Sequence, residues 1–361
     1  MQPVKITDLE TPALLIDQQR LMRNITYMQK VANSSGVTLR PHTKTHKCPE
    51  IAKLQVKAGA KGICVQKLGE AEVMAQAGFQ DILIPNEIVQ PTKIARLVDL
   101  QEQATIKVAV DSIENAEALG KVAVSAGRTI SVYVDVDIGM KRCGIPLGPA
   151  VEKFTKKIAA IGGLTLEGLT TYEGHLYKIK NPKRRAAAAT RIIKQYVEVG
   201  NRIRRAGVEI PTICCASTLT APVTARVPGV TELHPGNYIF YDIIQVERGS
   251  AVFENCAQSV LTTVISTPTA DRFVVDAGSK TFVNDQCNFP KALHYPDLDP
   301  YSITEEHLAC RTKKTKLRVG DKVQFVPYHA CTTTNMFDQL YLVNGDEVVE
   351  IWPIAARGKM V

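Results

Sequence analysis

From Thr11 to Ala216 the chain repeats one cycle, a short β-branched, apolar run followed by a stretch of helical periodicity. Thr11–Asp17 (TPALLID) reads as the first strand. Gln18–Ser34 reads as an amphipathic helix with Leu21, Ile25, Met28 and Val31 on one face. Further strands are expected at Gly62–Gln66, Asp81–Pro85, Ile106–Asp111, Ile130–Asp137, Leu166–Thr171 and Thr212–Ala216, and helices over Pro49–Ala58, Leu68–Ala77 and about Arg184–Arg205. The runs are almost continuously hydrophobic, which marks parallel strands buried on both faces. About eight such units over about 240 residues predict an α/β fold, a (β/α)8 TIM-type barrel. An open doubly wound sheet is disfavoured, because no glycine-rich fingerprint follows the first strand and no GxxxxGK occurs.

The pattern changes near Val246. Beyond it come strands without long helices: Ala257–Ser266, Asp271–Asp276, Lys322–Val326, Gln339–Val343 and Glu347–Trp352. Turn signals such as Gly320–Asp321 and Asn344–Gly345–Asp346 separate them. At 361 residues the chain exceeds what one core usually supports. The expectation is therefore a barrel over residues 1–245 and a C-terminal, mostly antiparallel β domain over 246–361.

The formal net charge of +8 is spread along the chain, and its densest cluster, Lys180–Arg185, has no aromatic interleaving. Nucleic acid is thereby disfavoured, and a small anionic substrate or phosphorylated cofactor fits better. Nine cysteines show no framework spacing, as expected of reduced thiols. The start MQPVKITDLE has no apolar signal region, and no run reaches the length of a membrane span. These features predict a cytoplasmic protein with no membrane partner.

Leu39–Lys47 (LRPHTKTHK) concentrates the basic chemistry. If extended, it places Arg40, His42, Lys44 and His46 on one face and sends Lys47 to the other. Neighbouring cations disfavour the ammonium form of a lysine, which improves it as an amine nucleophile for Schiff-base chemistry. A solvated basic strand or a phosphate-binding patch is the alternative reading of this run alone.

Catalytic groups in a parallel barrel come from the C-terminal ends of its strands. Polar residues stand at those ends: Lys44, Gln66, Asn86, Asp111, the stretch Asp135–Arg142, Tyr172 to His175, Ser217–Thr218 and the turn His234–Asn237. Each singly reads as a cap or loop polar, but as a set they point to a bound ligand. Ser217–Thr218 and Gly236–Asn237 offer hydroxyls and backbone N–H groups to a phosphate. Later, in PYHACTTTNMFD, an extended Tyr328–Thr332 would point His329 and Cys331 the same way. Imidazole and thiolate together make half of a zinc-type site, with open positions for substrate. A buried cysteine beside a capping histidine is the alternative.

Taken in order, TPALLID, RPHTKTHK, VDVDIGMKRCGIP, TELHPGNYIFYD, VVDAGSK and PYHACTTTNMFD span nearly the whole chain. Together they resemble the alanine racemase-like (fold type III) pyridoxal-phosphate enzymes, in the D-threonine aldolase and D-serine dehydratase branch. The resemblance implies a barrel plus a β domain, in a homodimer. It matches Lys44 to the Schiff-base lysine, Arg142 to an arginine near the cofactor, and Ser217, Thr218, Gly236 and Asn237 to the phosphate turns. His329 and Cys331 match the metal ligands, for zinc or manganese. Racemases carry an arginine beside the pyridine nitrogen where this chain has His234, a departure that argues against racemisation.

The expected activity is that of a lyase on β-hydroxy D-amino acids, a D-threonine aldolase with His175 as a base. Gln66 and Tyr172 join the cofactor-binding set. D-Serine dehydration, with Lys44 taking the Cα proton, is the alternative. A non-catalytic pyridoxal-phosphate-binding protein is more remote, since such a protein should lack the second domain.

Overall fold

The computed structural model describes residues 4–284 and 288–361. The chain divides into two compact units. One comprises Tyr27–Lys44, Ile51–Gly236 and Lys359–Val361; the other comprises residues through Thr26, Thr45–Glu50 and Asn237–Gly358.

The first unit is built on parallel strands in the order Thr38–Leu39, Glu232–Leu233, Thr212–Cys215, Leu164–Thr170, Ile130–Asp137, Thr105–Val110, Asp81–Glu87 and Ile63–Cys64. A parallel bridge between His42 and Cys64 joins the two ends. The N–H of Cys64 donates to Pro41 O at 2.8 Å, and that of Lys61 to Leu39 O at 2.9 Å. Eight strands thus close into a barrel, as the repeated cycle predicts. Cys64, Leu83, Tyr133 and Cys214 form one apolar cluster of this unit. Beside it lies an ionic group, in which fully buried Arg40 donates to Glu232 Oε1 at 3.0 Å and Asp81 Oδ2 at 2.9 Å. A side chain at Gly62 would meet Arg40 Nη1 at 2.4 Å, so glycine leaves that guanidinium its space. The helices start where the sequence supplies caps. Ser112 accepts from Asn115 N–H ahead of Ile113–Ser125, and Asn181 accepts from Arg184 N–H ahead of Pro182–Arg205.

The second unit is a mostly antiparallel sheet. Its order is Asp299–Ile303, Leu308–Arg311, Arg272–Val275, Gln258–Thr269, Ala13–Asp17, Gln339–Asn344 and Glu347–Pro353, with Lys322–Val326 paired to Gln258–Thr269 and Lys291–Ala292. Ala13–Asp17 is therefore not the first barrel strand. It runs antiparallel to Gln258–Thr269, Ala13 facing Leu261, and parallel to Gln339–Asn344, Leu15 facing Tyr341. Ala13 through Ile16 are all buried. A central strand of this kind carries the same unbroken apolar run as a barrel strand, so composition does not tell them apart. The units accordingly depart from a single cut at 245/246.

Eight of the cysteines are free thiols, and Cys287 lies outside the described residues. Among the described residues no helix is long and apolar enough to cross a membrane.

Candidate cofactor and metal sites

The basic run does not stay extended. After the bridge at His42 the chain turns through a 3₁₀ helix, Thr43–Thr45, and Lys47 has a φ of 52°. Alternation therefore ends at His42, and the expected shared face of Arg40, His42, Lys44 and His46 is not formed. Arg40 is neutralised in its ionic group. His46 is fully buried, edge-on to Phe240, and its Nδ1 accepts from Cys48 N–H at 3.2 Å. Lys47 Nζ donates to Asn335 Oδ1 at 2.8 Å. Only Lys44 of the three lysine and histidine positions 44, 46 and 47 is half-buried rather than buried, with Nζ 6.0 Å from the centre of the Tyr172 ring. Its turn is braced from below. The Lys44 N–H donates to His42 Nδ1 at 3.4 Å, which leaves His42 Nε2 as the donor to Gln66 Oε1 at 3.1 Å. Glu70 in turn accepts from the Gln66 N–H at 2.6 Å. Gln66 thus reaches the lysine turn through His42.

The Ser217–Thr218 turn is organised by Glu173, a member of the polar Tyr172–His175 stretch to which the sequence alone assigns no individual role. Glu173 is completely buried, accepting from Ala216 N–H at 3.0 Å and Thr220 Oγ1 at 3.3 Å. Burial pushes its carboxyl up to about 7 against the pull of those hydrogen bonds. Ser217 and Thr218 are both buried, and Ser217 Oγ has no hydrogen-bond partner among the described residues. The same holds for His234 Nδ1, whose ring is sealed from solvent with Nε2 2.8 Å from Glu232 Oε1. A buried hydroxyl and ring nitrogen left unpaired cost stability unless a ligand satisfies them. Both belong to the unit that carries Lys44, and their chemistry fits a phosphorylated, nitrogen-containing ring. Gly236 is buried in the adjoining turn. The Asn237 side chain instead donates to Asp242 Oδ2 at 2.6 Å and approaches Cys331 Sγ at 3.8 Å, so only its backbone N–H remains for an anion.

Arg142 is exposed, with its guanidinium carbon 5.4 Å from the centre of the half-buried Tyr172 ring. Tyr172 is therefore approached by both Lys44 and Arg142. Around Arg142 stand three acids. Burial pushes Asp135 up to about 7, with Glu87 adding to the shift and Arg142 opposing it; Glu87 is raised by burial and by Asp111. His175 packs on the Gly139 turn, where an added Cβ would lie 3.2 Å from its Nε2. Burial lowers its pKa, and Asp137 only partly counters this, so the neutral imidazole is favoured near pH 7. A neutral imidazole is the form able to take a proton.

In the second unit, His329 and Cys331 do not lie on an extended segment. The strand ends at Val326, and Ala330–Thr334 forms a helical turn with His329 at its N-cap. The cause is Asp242, which accepts the Ala330 N–H at 2.9 Å and so starts the turn. The two side chains nonetheless meet, the imidazole hydrogen-bonding the thiol. Burial pushes the Cys331 thiol up, but His329 and a contact with Thr45 Oγ1 at 3.3 Å outweigh it and leave the thiol below its ordinary value. An imidazole beside a thiol that ionises readily fits a divalent ion of borderline softness.

Comparison with known proteins identifies the family of the chain. The family model of the alanine racemase N-terminal domain matches residues 16–242, and that of a serine dehydratase domain matches residues 257–343. The D-threonine aldolase of an Arthrobacter species is 36% identical over 358 residues, 97% of this chain and 93% of that protein. The crystal structure of D-threonine aldolase from Filomicrobium marinum superposes with a TM-score of 0.95 at 34% identity, covering 99% of this chain and 98% of that one. A cysteine-to-alanine variant of D-threo-3-hydroxyaspartate dehydratase, in a metal-free form, gives 0.90 at 29% identity, covering 97% and 98%.

Proposed function

The chain belongs to the family of the alanine racemase N-terminal domain, and on that premise we propose that it is a pyridoxal-phosphate- and metal-dependent lyase of β-hydroxy D-amino acids, cleaving D-threonine to glycine and acetaldehyde. The observation that carries the cofactor reading is the pair of buried atoms, Ser217 Oγ and His234 Nδ1, without partners among the described residues. The likeness to D-threonine aldolases over almost the whole chain supports the activity.

Pyridoxal phosphate, when bound, supplies an electron sink for negative charge developing at the amino-acid Cα. Lys44 would hold it through Nζ, with the turn braced by His42 and Gln66. Ser217, Thr218 and the N–H groups of Gly236 and Asn237 would take the phosphate, while Tyr172 and Arg142 would flank the ring. His234 Nδ1, its other nitrogen tied to Glu232, would meet the ring nitrogen. His175, kept neutral by burial, takes the proton of the substrate's β-hydroxyl. His329 and Cys331 would hold zinc or manganese, which supplies Lewis acidity toward a substrate oxygen. The same reading takes the protein as a cytoplasmic homodimer, on the resemblance alone.

A second reading, dehydration of D-serine to pyruvate and ammonia, is favoured by the likeness to the hydroxyaspartate dehydratase and its cysteine variant. In it Lys44 takes the Cα proton. Incubation with D- and L-threonine tests the substrate class. The D-enantiomer alone should be consumed, and Lys44→Ala should stop it. Consumption of neither D-threonine nor D-serine would overturn the proposal.

A further inference from the structure

Glu173 carries no part of the chemistry above, yet it is a wholly buried carboxylate whose hydrogen bonds to other residues go to one turn. Its place is set by the two strands before it. Gly168, with a φ of 157°, lets Leu164–Thr170 approach Thr212–Cys215 so closely that an added Cβ would stand 2.0 Å from Thr212 O. Thr171 Oγ1 then donates to Val136 O at 2.6 Å and anchors the start of the loop. Two residues on, Glu173 reaches across to the neighbouring strand end. One carboxylate oxygen accepts from Ala216 N–H at 3.0 Å and the other from Thr220 Oγ1 at 3.3 Å. The turn is closed by Ala221 N–H donating to Ser217 O at 2.9 Å. The Ser217 hydroxyl is buried and has no hydrogen-bond partner among the described residues.

We propose that Glu173 is a positioning residue for the cofactor phosphate: it does not touch the cofactor, but pins the Ala216–Thr220 turn at both ends so that the hydroxyl of Ser217 faces the anion. The inference rests on the pyridoxal-phosphate reading and assigns that site a supporting residue. A hydrogen-bonding group that fixes a neighbouring donor acts on the part of the ligand which that donor meets. Glu173 should therefore matter for the phosphate and not for the ring.

The test compares pyridoxal phosphate with pyridoxal, titrated by absorbance into the full-length protein stripped of cofactor. Glu173→Leu should weaken pyridoxal phosphate by about tenfold or more, the scale of losing donors to a charged group, and leave pyridoxal unchanged. Glu173→Gln should restore most of the preference. Its amide oxygen can still accept from Ala216, and its amide N–H can donate to the Thr220 hydroxyl. If Glu173→Leu does not fold, Thr220→Val removes one of the two anchors and should lower the same preference in a folded protein. Equal losses for both ligands, or no rescue by glutamine, would overturn the positioning role. Ser217→Ala separates the two layers of the argument. If it abolishes the preference while Glu173→Leu and Thr220→Val do not, this inference alone fails; if it leaves the preference intact, the phosphate lies elsewhere and the cofactor reading of this turn fails too.

Discussion

His234 Nε2 and Glu232 Oε1 meet at 2.8 Å with both side chains sealed from solvent. The same carboxylate oxygen accepts from Arg40 Nε at 3.0 Å. Burial works against the charge on Glu232, but His234 and Arg40 outweigh it and hold its carboxyl far below the usual range. This chain of Arg40, Glu232 and His234 leaves His234 Nδ1 as the one polar atom of the ring still to be satisfied.

Glu232 makes stability depend on acid pH. A carboxyl depressed in the folded state contributes stability that is present above its unfolded pKa, about 4.3, and is lost as pH falls below it. Between pH 5 and pH 3, urea unfolding should show the wild type losing about 1–2 kcal/mol more than Glu232→Gln, which has no proton to take up. Parallel losses in the two proteins would place the acid sensitivity elsewhere.

Lys44 and Lys47 should separate cleanly. The purified protein should be yellow, and Lys44→Ala should abolish the visible absorbance. Lys47→Ala should keep it, since Lys47 Nζ is engaged with Asn335 Oδ1 at 2.8 Å. Colour that depends on Lys47 would contradict the placement of the cofactor.

His175 should set the acid limb of the rate. Its lowered pKa keeps the imidazole neutral at pH 7, so kcat/KM should fall only as pH drops below its ordinary value of about 6.5. His175→Asn should reduce kcat by roughly a hundredfold or more and remove that limb. An unchanged limb in the variant would assign the base to another residue.

Chelation should remove turnover and leave the yellow colour, and added zinc or manganese should restore activity. Cys331→Asp keeps a ligand but hardens the site, so the preference among restoring ions should move from zinc toward manganese. Full activity after exhaustive chelation, with no metal found on analysis, would end the metal assignment and leave His329 and Cys331 as a packed pair.

The barrel was legible in the sequence because its strands are buried on both faces and its helices show a 3.6-residue period. Glu232–Leu233 escaped notice as a strand, two residues being too few to show any period. Ala13–Asp17 was misplaced for the opposite reason, a strong apolar run that two different sheets would accept equally. Lys44 stands out by the composition around it, but its presentation depends on a 3₁₀ turn held by His42, which alternation does not express. The His329–Cys331 pair stands out in the sequence, but its backbone does not, because the helical turn is nucleated by Asp242, distant in sequence. Glu173 falls within the polar Tyr172–His175 stretch, but nothing in the sequence tells its supporting role from that of its neighbours. A loop glutamate reads as solvated until the fold shows it fully buried beneath the Ala216–Thr220 turn.

The central claim is the bond that breaks. Incubated separately with D-threonine and D-serine, the protein should release glycine and acetaldehyde from D-threonine, with little 2-oxo acid from either substrate. Pyruvate and ammonia from D-serine, with no acetaldehyde from D-threonine, would contradict the aldolase assignment and make the protein a dehydratase.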